Sequence, residues 1–315
     1  MRPVVTITAN TTLDLTLVIS SFQPGKTIRA AESVISIGGK PSDVSYVLAQ
    51  MGQPSLALGF AAGAFGQRVR QILEEAGVQT DFVEVEGESR INVLIATADD
   101  RQQTTITTST LRVQPSHIAQ MEARLAQALP QAACVMLGGT LPTGMAPSQY
   151  AAWIRQCRAA GVPVLFDADE PNLSAGLEAA PDCIKPNRDE LSRLTGRSIE
   201  TLDDAYQAAR AIFERCGTSV IVTLGGDGAL AVLPEGAWRI PPLNVPVVSA
   251  GGAGDAVVAG VAEAIQRGEP PLMGLRRGFA YAGAVVQKAG TAQLDAAEAR
   301  RLIPLVELIP YPRSL

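Results

Sequence analysis

Buried strands and helices alternate along most of this 315-residue chain, and the alternation limits what the chain can fold into. Short apolar runs precede helical segments, and glycine or polar residues stand where many of these runs end. Helices that follow strands in this way cover a mostly parallel sheet, and hydrophobic residues, at 47% of the chain, suffice for its core. Ligands of such sheets bind outside the carboxyl ends of the strands. The pattern therefore predicts an α/β fold with its site at one edge of the sheet.

Two strand-like runs, 90–98 and 103–108, flank the turn Asp99-Asp100 and have no helix between them. They are predicted to form a hairpin that stands apart from the main sheet. Together with 12–19 and 28–37 they would make a small four-stranded lid, formed by segments of about 12–37 and 88–110 within a single domain that spans 1–315. The alternative is an antiparallel extension of the main sheet.

Composition excludes several classes of function. The net charge is −5 and no basic cluster occurs, which argues against a nucleic-acid partner. The four cysteines include no Cys-x-x-Cys pair and His117 is the only histidine, so a zinc site is not expected. No signal-peptide pattern or membrane-length apolar run is present. We therefore expect a cytoplasmic protein with buried, reduced thiols and no membrane partner.

A glycine-rich stretch at 248–255 opens a segment of small apolar residues that is predicted to be a buried helix. The N-terminus of such a helix offers unpaired N–H groups and the positive end of a dipole, which suit a phosphate. Asp255 stands out there, because an anion would repel its carboxylate. It either accepts a proton during a reaction or only complements the helix dipole. The sheet would bring the polar residues at several strand ends into one crevice with it, namely Asp14, Gly39, Gly139, Asn187 and Gly225.

Four motifs together resemble the ribokinase-like, or phosphofructokinase-B, family of carbohydrate kinases. They are Gly252-Ala253-Gly254-Asp255, Lys185-Pro186-Asn187 with Glu190, Gly38-Gly39, and Thr223-Leu224-Gly225. The phosphofructokinase, 1-phosphofructokinase and tagatose-6-phosphate kinase branch is the most similar, on the strength of Asn10 with Asp14, Pro24-Gly25, Ser89-Arg90-Ile91-Asn92 and Gly139-Thr140-Leu141-Pro142. The resemblance implies a three-layer α/β/α fold with a small β-sheet lid, and a homodimer that forms through the lid.

The resemblance also implies ATP-dependent phosphorylation of a sugar hydroxyl. Asp255 would be the base, and the N–H groups of Gly252, Ala253 and Gly254 would stabilise the developing charge. Asn187 and Glu190 would orient Mg²⁺ through water, although an ordinary helix start would use the same residues. The nucleotide side would consist of Lys185, Asn187, Glu190, Thr223, Gly225 and Gly228.

The sugar side implied by the resemblance consists of Asp14, Gly38, Gly39, Asp43 and Gly139. Arg90, with Lys26 or Arg29 from the lid, would hold a phosphate already present on a substrate such as fructose 6-phosphate, fructose 1-phosphate or tagatose 6-phosphate.

Departures from the family pattern collect on the sugar side. Pro41-Ser42-Asp43 replaces a segment in which the branch has asparagine at position 43, and Thr108-Ser109-Thr110 replaces a usual proline-glycine. Ala250 stands where the family has threonine. Because Asn187, Glu190 and Asp255 are intact, we expect phosphoryl transfer with a changed acceptor. Two alternatives are a kinase for an unphosphorylated sugar or nucleoside, and a non-catalytic sugar-phosphate-binding protein.

Overall fold

A ten-stranded central sheet organises the chain, and the computed structural model describes residues 1–97 and 103–312. The strand order is β14-β13-β12-β11-β10-β9-β8-β1-β4-β5, and neighbours from β11 to β5 are parallel whereas β12, β13 and β14 are antiparallel. The bounds are β1 Val4–Thr8, β4 Ser55–Ala61, β5 Gln79–Glu84, β8 Cys134–Gly138, β9 Val164–Asp167, β10 Cys183–Ile184, β11 Ser219–Thr223, β12 Ala229–Leu233, β13 Gly236–Ile240 and β14 Ile309–Pro310.

Helices cover both faces of this sheet. One core cluster joins the sheet to α3, α4 and α7, and a second joins its other face to α1, α8, α9 and α10. The predicted three-layer α/β/α arrangement with a mostly parallel sheet is confirmed. The helices are α1 Lys40–Gln50, α2 Gly63–Glu75, α3 Pro115–Ala128, α4 Ser148–Ala159, α5 Asn172–Leu177, α6 Arg188–Thr195, α7 Leu202–Cys216, α8 Ala253–Arg267, α9 Pro271–Val285 and α10 Ala296–Leu302.

A separate four-stranded sheet has the order β3-β2-β6-β7, with β2 Thr12–Ile19, β3 Glu32–Gly38, β6 Arg90–Thr97 and β7 Gln103–Thr107. Strands β6 and β7 are antiparallel, as predicted for a hairpin, whereas the predicted turn Asp99-Asp100 lies outside the described residues. Because these strands pair with one another and not with the central sheet, the alternative of an antiparallel extension is wrong.

One predicted strand boundary is displaced, because β3 begins at Glu32 rather than at 28. Helix α1 begins at Lys40, and Pro41 is tolerated there because it lies in the first helical turn. A 3₁₀ turn at Ile303–Leu305 follows α10. Helix α5 and strand β14 were missed because six and two residues are too few to show a periodic pattern. Within the described ranges no helix is long and apolar enough to cross a bilayer.

Candidate active site

The carboxyl ends of the parallel strands surround a cavity of about 790 Å³. The sequence predicted that polar strand-end residues would meet at this edge, and the nucleotide-side set does so. The lining includes Lys185, Asn187, Glu190, Thr223, Gly225, Gly228, Ala253, Gly254 and Asp255. Lys40 and Asp167 line the same cavity, although neither was among the predicted site residues.

The N-terminus of α8 opens onto this cavity. Gly252 caps the helix with φ at 80°, a left-handed conformation that favours glycine. A Cβ at this position would lie 2.4 Å from the backbone nitrogen of Ala292, so close packing also requires glycine. The first N–H groups of a helix have no partner within the helix. Gly254 and Asp255, the second and third residues of α8, therefore offer N–H donors to an anion, whereas the Ala253 N–H donates to the Ala250 carbonyl at 3.3 Å.

The environment of Asp255 suits a proton acceptor. Burial and the negative charge of Asp167 raise the pKa of Asp255 to about 7, although Lys185 and Lys40 oppose that shift. A carboxyl group with a pKa near neutrality can accept a proton from a hydroxyl and later release it to solvent. The helix-dipole explanation does not account for this shift, because a helix N-terminus stabilises the charged form.

Two lysines and three carboxylates form an ion-pair network beside the cavity, and all of them except Asp169 line it. Lys40 Nζ lies 2.8 Å from Asp167, 3.2 Å from Asp169 and 3.0 Å from Glu190. Lys185 Nζ lies 3.0 Å from the other oxygen of Asp167. Burial alone would raise the pKa of Asp167, but the two lysines hold it below its usual value. Asp167 is therefore an anion that keeps both cations in place beside Asp255.

Asn187 and Glu190 form a capping box at the start of α6. The Asn187 side chain accepts a hydrogen bond from the Glu190 N–H, and Glu190 accepts one from the Asn187 N–H, both at 2.8 Å. These residues therefore do form an ordinary helix start, because they cap α6. Both side chains also border the cavity, and burial raises the pKa of Glu190.

The predicted sugar-side residues Asp14, Gly38 and Asp43 lie close to one another. The Asn92 amide and the Thr291 hydroxyl donate to the two oxygens of Asp14, at 2.9 and 3.2 Å. A Cβ at Gly38 would lie 2.3 Å from Asp14, so glycine is required there for the carboxylate to fit. Burial raises the pKa of Asp14 to about 6, although Asn92, Thr291 and Arg90 oppose the shift.

Asp43 links this group to the cavity, because its carboxyl is in hydrogen-bond contact with that of Asp255. Only 3% of Asp43 is exposed, and burial with the charges of Asp255 and Asp14 raises its pKa well above the usual value. The Oδ1 atom of Asp43 is buried and has no hydrogen-bond partner among the described residues. It is therefore an acceptor that the described residues leave unsatisfied.

Two glycines complete the sugar side. Gly39 caps α1 with φ at 102°, and Gly139 follows β8. Next to Gly139, Thr140 accepts a hydrogen bond from the Asn10 side chain at 3.1 Å. These positions are at the same strand-end edge as Asp14, as the sequence predicted.

Arg90 lies at the site end of the small sheet, where its Nε donates to the Thr12 hydroxyl at 2.8 Å. Lys26 and Arg29 are exposed on the connection between β2 and β3. That connection is at the other end of the strand pair, since Thr12 is opposite Gly38 and Val18 is opposite Glu32. At about 3.3 Å per residue the two ends are roughly 20 Å apart. Within one chain the structure therefore does not bring Lys26 or Arg29 to Arg90.

The described residues include no group of three or more His, Cys, Asp or Glu side chains arranged to hold a metal ion. Lys40 Nζ instead occupies the space among Asp167, Asp169 and Glu190. Any metal at this edge would therefore depend on water and on a bound anion for most of its ligands.

Comparison with known proteins agrees with this geometry. Residues 4–297 match the model of the pfkB family carbohydrate kinases. A 1-phosphofructokinase of Vibrio cholerae serotype O1 is 34% identical over 261 residues, 82% of each chain. A 1-phosphofructokinase of Escherichia coli strain K12 is 31% identical over 310 residues, 98% of this chain and 99% of that protein. The crystal structure of phosphofructokinase-2 from Escherichia coli superposes with a TM-score of 0.89 at 24% identity, covering 97% of this chain and 99% of that one. The predicted family is thus confirmed, and the chain belongs to the pfkB family of carbohydrate kinases.

Proposed function

We propose that this kinase transfers the γ-phosphoryl group of ATP to a hydroxyl of a sugar phosphate of the fructose 1-phosphate, fructose 6-phosphate or tagatose 6-phosphate type. The relatives named 1-phosphofructokinase support a phosphorylated sugar as acceptor. The observation that carries the proposal is the placement of Asp255, whose carboxyl lies at the helix N-terminus between the sugar-side residues and the cavity. A nucleophile bound there would have a base on one side and an anion site on the other.

Each residue of the site has its own role in the proposed phosphoryl transfer. The acceptor hydroxyl gives its proton to Asp255, and its oxygen forms a bond to the γ-phosphorus as the bond from that phosphorus to the β–γ bridging oxygen breaks. ADP leaves with the electron pair of the broken bond. The amide of Gly254 and the ammonium groups of Lys40 and Lys185 stabilise the negative charge on the transferred group. The Asp255 proton returns to solvent when the product leaves.

The nucleotide is proposed to occupy the cavity, with its phosphates toward α8 and its base toward Thr223, Gly225 and Gly228. Mg²⁺ fits the oxygen donors of Asn187 and Glu190, which would hold it through water because both are already engaged in the capping box. When bound, the ion would supply positive charge to the phosphates. Lys40, which lines the same cavity, would add a cation beside these phosphates.

Arg90 is proposed to hold the phosphate already present on the acceptor. It lies at the mouth of the sugar side, near Asp14, and its guanidinium is suited to bidentate phosphate binding. Lys26 or Arg29 would contribute from a second subunit, because their own strand pair holds them far from Arg90.

A homodimer through the small sheet would provide that second subunit. Leu15 is paired with Ile35 and with Val93, and Val93 is paired with Ile106, so one apolar row crosses all four strands on the face opposite Asp14. Ile35 is 55% exposed and Ile106 is 52% exposed. An apolar row of this kind is typical of a surface that another copy covers. We therefore propose the small sheet both as a lid over the sugar side and as the dimer interface.

The cellular setting is proposed to be a reducing one, as expected of a cytoplasmic enzyme. All four cysteines are free thiols, and Cys134, Cys157 and Cys183 are buried. Burial raises the pKa of each of these three thiols to about 12, which keeps them unreactive.

The test is an ADP-release assay with purified protein, ATP and Mg²⁺ across phosphorylated and unphosphorylated acceptors. We expect turnover with at least one of fructose 1-phosphate, fructose 6-phosphate and tagatose 6-phosphate. Turnover only with ribose, fructose or a nucleoside would show that the acceptor is not a sugar phosphate. ATP binding without turnover of any acceptor would point to a non-catalytic binding protein.

A further inference from the structure

A buried contact between two carboxyl groups, those of Asp43 and Asp255, lies at the point where the sugar side meets α8. Ionised carboxylates only accept hydrogen bonds, so a hydrogen bond between them requires a proton on one of the two. Two like charges in contact inside a protein do not both ionise near neutrality. The pair therefore holds one proton when the cavity is open to water.

The surroundings decide which carboxyl carries that proton. Asp43 is 3% exposed, and the charged groups that act on it, Asp255 and Asp14, are both negative. Asp255 is only half-buried, it lines the cavity, and it faces the cations Lys40 and Lys185. The negative charge is consequently more stable on Asp255. The other charged groups that face the pair are Asp167, the last residue of β9, and Glu190 on α6. Arg90 on β6 interacts with Asp14, which in turn lies beside Asp43.

We propose that Asp43 is present as the neutral carboxylic acid and donates a hydrogen bond to Asp255, so that it takes the place of an amide side chain. The unpartnered Oδ1 atom then corresponds to the amide carbonyl and accepts a hydrogen bond from a hydroxyl of the acceptor. This inference rests on the proposed function in so far as Asp255 is the base. Asp43 thus orients Asp255 through one oxygen and contacts the acceptor through the other.

Neutral Asp43 has a direct consequence for the transfer step. Asp255 is then the negative charge closest to the reacting hydroxyl, and its carboxylate is held in one orientation. Ionisation of Asp43 at alkaline pH removes the donor and adds a second charge beside the transferred phosphoryl group, which it repels. The reaction should therefore slow at alkaline pH for a reason specific to this carboxyl.

The variant Asp43→Asn tests the inference, because asparagine is isosteric, keeps a donor and a carbonyl, and cannot ionise. We expect the alkaline decline of kcat/KM to disappear in this variant, because its side chain at position 43 can no longer ionise. Asp43→Ala, which lacks the donor, should be slower at every pH. Superimposable pH profiles of the wild type and Asp43→Asn would overturn the inference, as would an Asp43→Asn protein that is folded but inactive throughout.

A second measurement does not depend on turnover. In protein labelled with ¹³C at aspartate carboxyl carbons, we expect one buried carboxyl that is still protonated at pH 7, titrates at alkaline pH, and is missing from Asp43→Asn. Its absence from the wild type would overturn the inference even if the kinase is active. If the resonance is present but no acceptor is phosphorylated, the protonation state of Asp43 is confirmed and the proposed function fails instead.

Discussion

At the scale of single residues, Asp255 is the group on which the proposed chemistry depends. Replacement by asparagine leaves the anion site in place but removes the proton acceptor. We expect Asp255→Asn to lower turnover by about 10²- to 10⁴-fold with little change in ATP affinity. Coupled ADP release and nucleotide titration measure the two effects. Asp203→Asn, an exposed aspartate on α7, is the matched control and should be unchanged. An Asp255→Asn enzyme with wild-type turnover would contradict the assignment.

The raised pKa of Asp255 also fixes the sign of two pH effects. Only the ionised carboxyl accepts a proton, so kcat/KM should rise as the pH increases through about 7. The free energy of unfolding changes in the opposite direction. A carboxyl whose pKa is raised on folding stabilises the protein at pH values below its unfolded pKa, and this contribution is lost as the pH rises through 7. Asp255→Asn should therefore be at least as stable as the wild type at pH 8, which thermal unfolding at several pH values measures.

Arg90 is the residue that separates a phosphorylated acceptor from an unphosphorylated one. Loss of a charged hydrogen-bond donor costs about 1.5–3 kcal/mol, so Arg90→Ala should weaken the apparent affinity for a sugar phosphate by about 10- to 100-fold. Unphosphorylated acceptors should be affected much less. The surface arginine Arg124, paired with Asp81, offers the control Arg124→Ala. Equal losses for both kinds of acceptor would mean that Arg90 supports the small sheet rather than binding phosphate.

At the scale of elements, the position of α8 depends on its contact with α9. A Cβ at Gly260 would lie 2.1 Å from the backbone nitrogen of Gly278, and one at Gly278 would lie 2.5 Å from the Val257 carbonyl oxygen. The two backbones therefore touch, and Tyr281 on α9 adds a buried hydrogen bond to Glu263 on α8 at 2.5 Å. Because α8 begins at the anion site, this contact sets where Asp255 lies.

Gly260→Ala should consequently force the two helices apart. We expect the free energy of unfolding to fall by about 1–3 kcal/mol and turnover to fall with it, since Asp255 moves with α8. Calorimetry together with the ADP-release assay would measure both. Gly226→Ala is the control for stability, because no atom lies within 4 Å of a Cβ there and the backbone has no positive φ. Unchanged unfolding of Gly260→Ala would show that the helix pair can repack.

Local patterns explain which elements the sequence predicted well. The start of α8 was predicted because a glycine-rich turn precedes small apolar residues. An ordinary helix start was the alternative interpretation of Asn187 and Glu190, and the structure shows that these residues do form the capping box of α6. The pairing of Lys40 with Asp167 was missed, because it joins residues 127 positions apart and no local pattern signals it. Likewise the contact between Asp43 and Asp255 depends on how α1 packs against α8, which only the folded chain shows.

At the scale of the whole molecule, the family resemblance predicted the order of the layers, whereas the geometry of the small sheet had to be observed. The register of β2 and β6 puts Asp14 and Asn92 on one face and the apolar row of Leu15 and Val93 on the other. Because successive side chains of a strand point to opposite faces of the sheet, the position of the polar residues on one face fixes that of the apolar residues on the other. A chain that directs its polar residues to the sugar side must therefore present the apolar row outward.

Exposure of that row predicts the assembly state. Ile35→Asp and Ile106→Asp each place a charge in the proposed interface, and burying an unpaired charge is strongly unfavourable. We expect the double variant to sediment as a monomer at concentrations where the wild type is a dimer. Leu305→Asp, at a leucine that is 52% exposed outside the small sheet, is the control and should remain dimeric. If Lys26 or Arg29 acts on the partner's substrate, the monomeric variant should also lose affinity for a sugar phosphate while ATP binding persists. A monomeric wild type, or a double variant that stays dimeric, would exclude the apolar row as the interface.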